Sequence, residues 1–450
     1  MKRFSTHNAF LKGAQGAEWL YQADVQGLLA ALAEPGDEAR IVGGAVRDTL
    51  LQRPVSDIDI AATALPEQVM ERAARHGFHA VPLGIEFGTV LLVGKQRRFQ
   101  VTTLRADMAT DGRHARVAFC RDWQQDAARR DFTVNALYVD KNGRLYDYTG
   151  GLADLENGIV RFIGDAAERI KEDYLRILRF FRFYALLGRG RPDRQAIMAV
   201  AALKEGLGQL AAERIWDELK KLLAAPAPYR SLLWLRSCGA LDLILPESSK
   251  WGLDILPGLI ADEPAAAKGG PATAQPDSML RLMALIPPQP ERVASLAKRL
   301  RLSGQEKRRL ESWAAGAPIA PAISEAGLRQ RLYLAGRGPI AGKRQNSGHS
   351  RRGAALPPGR QAVLDTLRLA RAAAAVYRKP EDYQRYTKLL TLAENEEEPR
   401  FPLSGADIAA AGLRGAAIGR ALQRLEALWL QSGFRLDKQA LLARLQDNQP

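Results

Sequence analysis

The stretch Ser56-Asp57-Ile58-Asp59-Ile60-Ala61 follows shortly after Gly43-Gly44-Ala45-Val46-Arg47-Asp48. Its alternation predicts a strand with isoleucines on one face and carboxylates on the other. Side chains two residues apart in a strand point the same way, so Asp57 and Asp59 converge. Like charges so close are unfavourable unless a cation lies between them, and oxygen-only ligands suit Mg²⁺ or Mn²⁺. Upstream, Gly43 and Gly44 permit a tight turn before a short helix marked by Val46, Leu50 and Leu51. The N–H groups at that helix start would attract a phosphate chain. A phosphate cradle beside metal-binding carboxylates points to a nucleotide substrate. Either string alone reads more readily as an ordinary turn; the joint spacing carries the inference.

Outward from this pair, residues 17–34 carry a helical pattern that Pro35-Gly36 ends. Between residues 39 and 162 short β-type runs alternate with turns: Arg40–Val42, Ser56–Ala61, Gly88–Val93, Arg98–Thr102, Val134–Val139, Arg144–Tyr148 and Val160–Ile163. Asn142-Gly143 is a hairpin signal, so the sheet is mixed rather than purely parallel. Helical stretches intervene at Val46–Gln52 and Pro66–His76, and after Gly164 helical periodicity takes over. The predicted class is α+β: a mixed-sheet head followed by an all-α neck, body and tail. The expected boundaries are a helical segment 1–38, head 39–165, neck 166–230, body 231–336, a basic loop 337–360 and a helical tail 361–450. The stretch 261–278, rich in Ala, Pro and Gly, reads as a linker. The basic loop reads equally as an RNA-contacting arm or a solvated segment.

Composition narrows the partners. The formal charge of +15 in 450 residues favours a polyanion, because Lys and Arg neutralise phosphates and release counterions. Hydrophobic content of 46% with 26% charged residues fits a globular protein. No apolar run is long enough to span a membrane, and no secretory signal is evident. Cys120 and Cys238 lie far apart and make no metal-ligand pattern, as expected in a reducing, cytoplasmic setting. The five histidines are scattered and lack ligand spacing.

Two further strings carry chemistry. In RRDFTVNAL, residues 129–137, Arg130 could neutralise triphosphate charge while Asp131 and Asn135 fix a sugar or a nearby loop. The plainer reading pairs Asp131 with a neighbouring arginine. In EDYLRILRFFRF, residues 172–183, read as one helix, Asp173 and Arg176 stand one turn apart and Arg179 and Arg182 continue the spacing. A carboxylate accepting from the amine of cytosine or adenine, beside a guanidinium donating to the neighbouring acceptors, would read both bases. Uracil and guanine reverse both contacts and would be rejected.

With AERIWDELKKLL at residues 212–223, these strings resemble, in order, the class II tRNA nucleotidyltransferases, or CCA-adding enzymes, and their bacterial poly(A) polymerase relatives. The resemblance spans residues 40–223 and implies a polymerase-β-like nucleotidyltransferase head. It implies that CMP, CMP and AMP are added from CTP and ATP to the tRNA 3′ end, with the basic helices holding the acceptor arm. Asp57 and Asp59 would hold two catalytic metals, Mg²⁺ or Mn²⁺. Gly43, Gly44 and Arg47 would lie at the triphosphate, and Arg130, Asp131 and Asn135 would bind nucleotide and order the head. Asp173 and Arg176 would form the base template, completed by Arg179 and Arg182. Leu104–Asp122 would be the loop used in changing from C to A addition. One departure stands out: many relatives carry an acid in the strand before TTLR, where this chain has Gln100. The alternatives are a poly(A) polymerase or an A- or CC-adding enzyme, and a non-catalytic RNA-binding protein.

Overall fold

The computed structural model describes residues 11, 15–34, 36–107, 117–249, 251–263, 276–336, 358–396 and 399–446. The expectations for the basic loop 337–360, the linker 261–278 and the centre of the 104–122 loop fall largely outside the described residues. The chain divides into two compact units, one running to Leu210 and including Ala225–Ile244, the other made of Ala211–Ala224 and the chain from Leu245 onward.

The first unit is built on a mixed seven-stranded sheet. Its strands are β1 (Ala39–Val42), β2 (Ile58–Ala62), β3 (His79–Gly84), β4 (Thr89–Val93), β5 (Arg98–Thr103), β8 (Leu137–Val139) and β9 (Leu145–Asp147), in the order β3-β4-β5-β2-β1-β8-β9. The pair β2–β5 is parallel and the others are antiparallel. A separate ribbon pairs β6 (Arg105–Asp107) with β7 (Val117–Phe119). Helices α1 (Ala23–Leu32) and α3 (Pro66–Arg75) pack on one face of the sheet, over Ile58, Ile60, Val90, Leu92, Phe99 and Val101. Burying those side chains stabilises the layer by about 1.5–3 kcal/mol each. Between them come α2 (Gly44–Leu50) and, on the other face, α4 (Trp123–Ala128), whose Trp123 and Ala127 cluster with Val42, Ala61 and Tyr138. The Trp19 indole donates to Thr49 Oγ1 at 2.9 Å and ties the N-terminal segment to α2.

Three local expectations are corrected. The sheet gains β3, which is not among the runs expected from sequence; it is an edge strand containing Pro82, a residue tolerated where a ladder hydrogen bond is not needed. Val160–Ile163 is no strand but a single bridge, Phe132 to Phe162. Its apolar character serves an aromatic cluster in which Phe162 stacks on Phe180 with centroids 5.7 Å apart. The predicted helix 172–183 is broken: after α5 (Gly151–Asn157), α6 (Ala166–Glu172) ends and α7 (Leu175–Leu187) begins, with Asp173 extended between them.

After α8 (Arg194–Leu203), helix Pro228–Ser237 returns to pack on α7. The second unit is helical throughout its described residues. Helix Pro358–Val376 runs through its centre, and Leu364 and Leu367 join Leu328, Leu332, Leu389 and Leu390 in one core. Gly258 allows a neighbouring helix to approach it, because a Cβ there would stand 2.7 Å from the Ala372 carbonyl oxygen.

Candidate active site

Asp59 projects from the face of the sheet opposite α1 and α3. The alternation that buries Ile58 and Ile60 leaves Asp59 open to solvent. Register places Val42 of β1 and Gln100 of β5 on either side of it. Asp57 precedes the strand, is likewise exposed, and accepts from Ser56 Oγ at 2.9 Å. Among the described residues neither aspartate makes an ion pair. Although the Asp59 side chain meets solvent, crowding by surrounding protein pushes its carboxyl pKa up; Arg130 opposes this and the charge of Asp57 adds to it. A cavity of about 230 Å³ opens here, lined by Asp59, Gln100, Thr102, Arg105, Arg129 and Arg130 among others.

The arginines at this cavity are aimed by a residue that sequence reasoning passed over. Asp126, on α4, is wholly buried. One of its oxygens accepts from Arg129 Nε at 2.8 Å; the other accepts from Arg130 Nη2 at 2.9 Å and the Tyr138 hydroxyl at 2.8 Å. Burial alone would raise its pKa, but the charges of Arg130 and Arg129 outweigh that and hold the carboxyl below its usual range. Burial likewise works against the Arg130 charge, and Asp126 more than restores it. The legible signal was Asp126-x-x-Arg129-Arg130, an i, i+3, i+4 helix spacing. Tyr138, a strand away, gave none.

Gly43 joins β1 to α2 with φ of +75°, a backbone that glycine adopts without strain. Its N–H donates to the Leu137 carbonyl at 3.1 Å, holding the turn against β8. Arg47 is buried rather than open to solvent. Its Nε donates to Asp48 and its Nη1 to Asn135 Oδ1 at 2.7 Å. Asn135 Nδ2 donates in turn to Asp131 at 3.1 Å, and Arg179 Nε from α7 donates to the other Asp131 oxygen at 2.8 Å. Four of the sequence-selected residues thus form one hydrogen-bonded chain from α2 to α7. Asp131 is buried, which alone would raise its pKa, yet the Arg179 charge and the donated hydrogen bonds bring it below the usual range.

The template residues occupy the junction of α6 and α7. Asp173 is half-buried, and its carboxylate accepts from the Leu175 N–H at 3.1 Å at the start of α7. Arg176 does not extend from a continuous helix as expected. Its guanidinium donates to the Arg169 carbonyl at 2.9 Å and pairs with Glu172. Arg182 lies over the Phe183 ring, 4.2 Å from its centroid. Among the described residues no group of three or more His, Cys, Asp or Glu is arranged for a metal, and Gln100 stands where a third carboxylate would flank Asp59. No helix among them is long and apolar enough to cross a membrane.

This geometry can be set beside known proteins. The family described as "Poly A polymerase head domain" matches residues 39–161, and "Probable RNA and SrmB- binding site of polymerase A" matches residues 192–251. The chain is similar to "CCA tRNA nucleotidyltransferase 1, mitochondrial" of Mus musculus, 34% identical over 429 residues covering 94% of this chain and 90% of the relative. Over 219 residues it is 42% identical to the "CCA-adding enzyme" of Streptococcus gordonii, covering 48% of this chain and 54% of the relative. The Bacillus stearothermophilus CCA-adding enzyme, solved with CTP, shares the fold with a TM-score of 0.67 at 24% identity, covering 94% of this chain and 96% of that one. A head with two open aspartates on its sheet, reached by arginines and continuing into helices, is matched along nearly the whole chain, which therefore belongs to the CCA tRNA nucleotidyltransferase family.

Proposed function

We propose that this protein adds C, C and A to the 3′ end of tRNA from CTP and ATP, without a nucleic-acid template. The observation that carries the chemistry is the pair Asp57 and Asp59: both are open and without an ion-pair partner among the described residues, and Asp59 lines a cavity with three arginines. Full-length similarity to an enzyme named for CCA and tRNA carries the substrate.

Asp57 and Asp59 would hold Mg²⁺ or Mn²⁺. The donors are all oxygens; burial by surrounding protein does most to raise the Asp59 pKa, and the Asp57 charge that adds to it is what a divalent cation would offset. When bound, the metals supply activation of the terminal 3′-hydroxyl and neutralisation of charge on the phosphates. The rest falls to the chain. Arg130, held rigid by Asp126 and Tyr138, sets positive charge beside Asp59 where a triphosphate would lie. Gly43 and Gly44 let backbone approach the phosphates, and Arg47, Asn135 and Asp131 lock that turn to α7. Arg179 and Arg182 would close the nucleotide pocket, while Asp173 and Arg176 read the base. Arg176, itself half-buried, must exchange its pair with the more exposed Glu172 for the base. The helical part of this basic chain would hold the acceptor arm by phosphate and shape contacts. The free thiols Cys120 and Cys238 fit a reducing compartment, and we place the reaction in the cytoplasm.

The test is incorporation on tRNA ending before the first C, before the second C and before A, with CTP and ATP supplied separately. CTP should serve the first two substrates and ATP only the third. Long tails made from ATP alone on all three would refute the reading in favour of poly(A) synthesis.

A further inference from the structure

Large apolar side chains are exposed at the margin of the catalytic cavity. Phe119 is 40% exposed and Phe87 45% exposed. Phe119 pairs in register with Arg105 across the β6–β7 ribbon, so the two side chains leave the same face. Arg105 lines the cavity that holds Asp59, and its guanidinium also donates to the Phe87 carbonyl. The Phe119 ring lies directly over Gly88, where a Cβ would come within 2.8 Å of it, and Thr89, the next residue, lines the same cavity. Glycine at position 88 thus keeps an aromatic ring seated beside the reaction centre with much of its surface uncovered.

We propose that Phe119, with Phe87 beside it, is a stacking platform for the base at the 3′ end of the RNA. This rests on the reading above, in which an RNA terminus must reach Asp59. The chemistry selects the occupant. An exposed ring flanked by a guanidinium is how proteins hold unpaired bases without reading their identity, and the neighbouring arginines suit the phosphates of that strand. Tolerance of sequence is required here, because the last base is the tRNA's own before the first addition and a cytosine after it. An apolar protein partner would gain nothing from the three arginines at the rim.

The probe is an acceptor-stem minihelix lacking CCA, with 2-aminopurine as its last nucleotide, mixed with the full chain in the absence of nucleotide. Stacking on the platform should quench the fluorophore. Phe119→Leu keeps an apolar group over Gly88 but removes the π-face; it should lose most of the quench. In CTP addition to the minihelix it should also raise KM for the RNA about tenfold, with a smaller fall in kcat at saturation. Phe119→Tyr should restore both. Wild-type quenching and KM in Phe119→Leu, or no rescue by Phe119→Tyr when both variants melt like the parent, would overturn the platform. Failure of the wild type to extend the minihelix with CTP would instead overturn the CCA-adding reading itself, so the two failures are distinguishable.

Discussion

Two pairs of aspartates in the same head are handled in opposite ways. Asp126 and Asp131 are buried, and each is saturated by arginine and neutral donors, so both carboxyls are held below the usual range. Asp57 and Asp59 stand open, and Asp59 is pushed the other way by crowding and by its neighbour's charge. A buried carboxylate must be neutralised by the chain itself, because desolvation costs several kcal/mol per ion. An open one can be left charged and unsatisfied for a ligand to complete. The first pair therefore fixes the arginines in place, and the second is the pair that, on the proposed reading, would take the metal.

Substitutions in each pair should separate these roles. Asp57→Ala should lower nucleotide incorporation on the order of a hundredfold or more while tRNA affinity and melting temperature stay near the parent. A variant retaining more than a few per cent of activity in single-turnover assays would end the metal assignment. Asp126→Asn should do the converse, costing about 3 kcal/mol of stability in urea titrations, because two arginines lose their counter-charge. It should also change the acid response. The folded pKa of Asp126 lies below the unfolded value of about 3.9, so its stabilisation is complete above that pH. It is lost as pH falls through the unfolded value towards the folded one. Melting temperature followed from pH 6 downward should therefore fall less steeply in Asp126→Asn than in the parent; parallel curves would show that Asp126 is not a source of the acid sensitivity.

Asp173 sits between the two extremes, half-buried and capping α7. Asp173→Ala should relax discrimination against UTP and GTP by roughly tenfold. Unchanged selectivity at saturating tRNA would refute the template role. The smallest effect is expected from Gln100→Glu, which sets a third carboxylate in register with Asp59. Mn²⁺ affinity, followed by paramagnetic resonance, should rise roughly fivefold. Equal affinity would mean that residue 100 does not face the ion.

The motifs that named the chemistry were legible because their physics is local. Alternation placed Asp59 opposite the buried isoleucines, and Gly43 takes the positive φ of the tight turn into α2. What was not legible was distance. Arg47 and Asn135 are separated by 88 residues, and Asp131 and Arg179 by 48, yet one chain of hydrogen bonds joins them. Each residue could be picked from its string, but nothing in the strings said that Arg47 would be buried. The continuous helix 172–183 was a reasonable reading of apolar spacing; the Asp173 carboxylate competes for the backbone and restarts the helix at Leu175. Strand β3 was hidden by Pro82 and by weak alternation at a sheet edge.

The route of the chain between the two units has a practical outcome for engineering. The polypeptide leaves the first unit at Leu210, contributes Ala211–Ala224 to the second, and returns so that Pro228–Ser237 covers α7. A truncation after residue 210 would strip a flank from the helix that carries Arg179 and Arg182. Chimaeras between relatives must therefore trade two separate segments at once, and the first unit cannot finish assembling until the ribosome has passed Ile244.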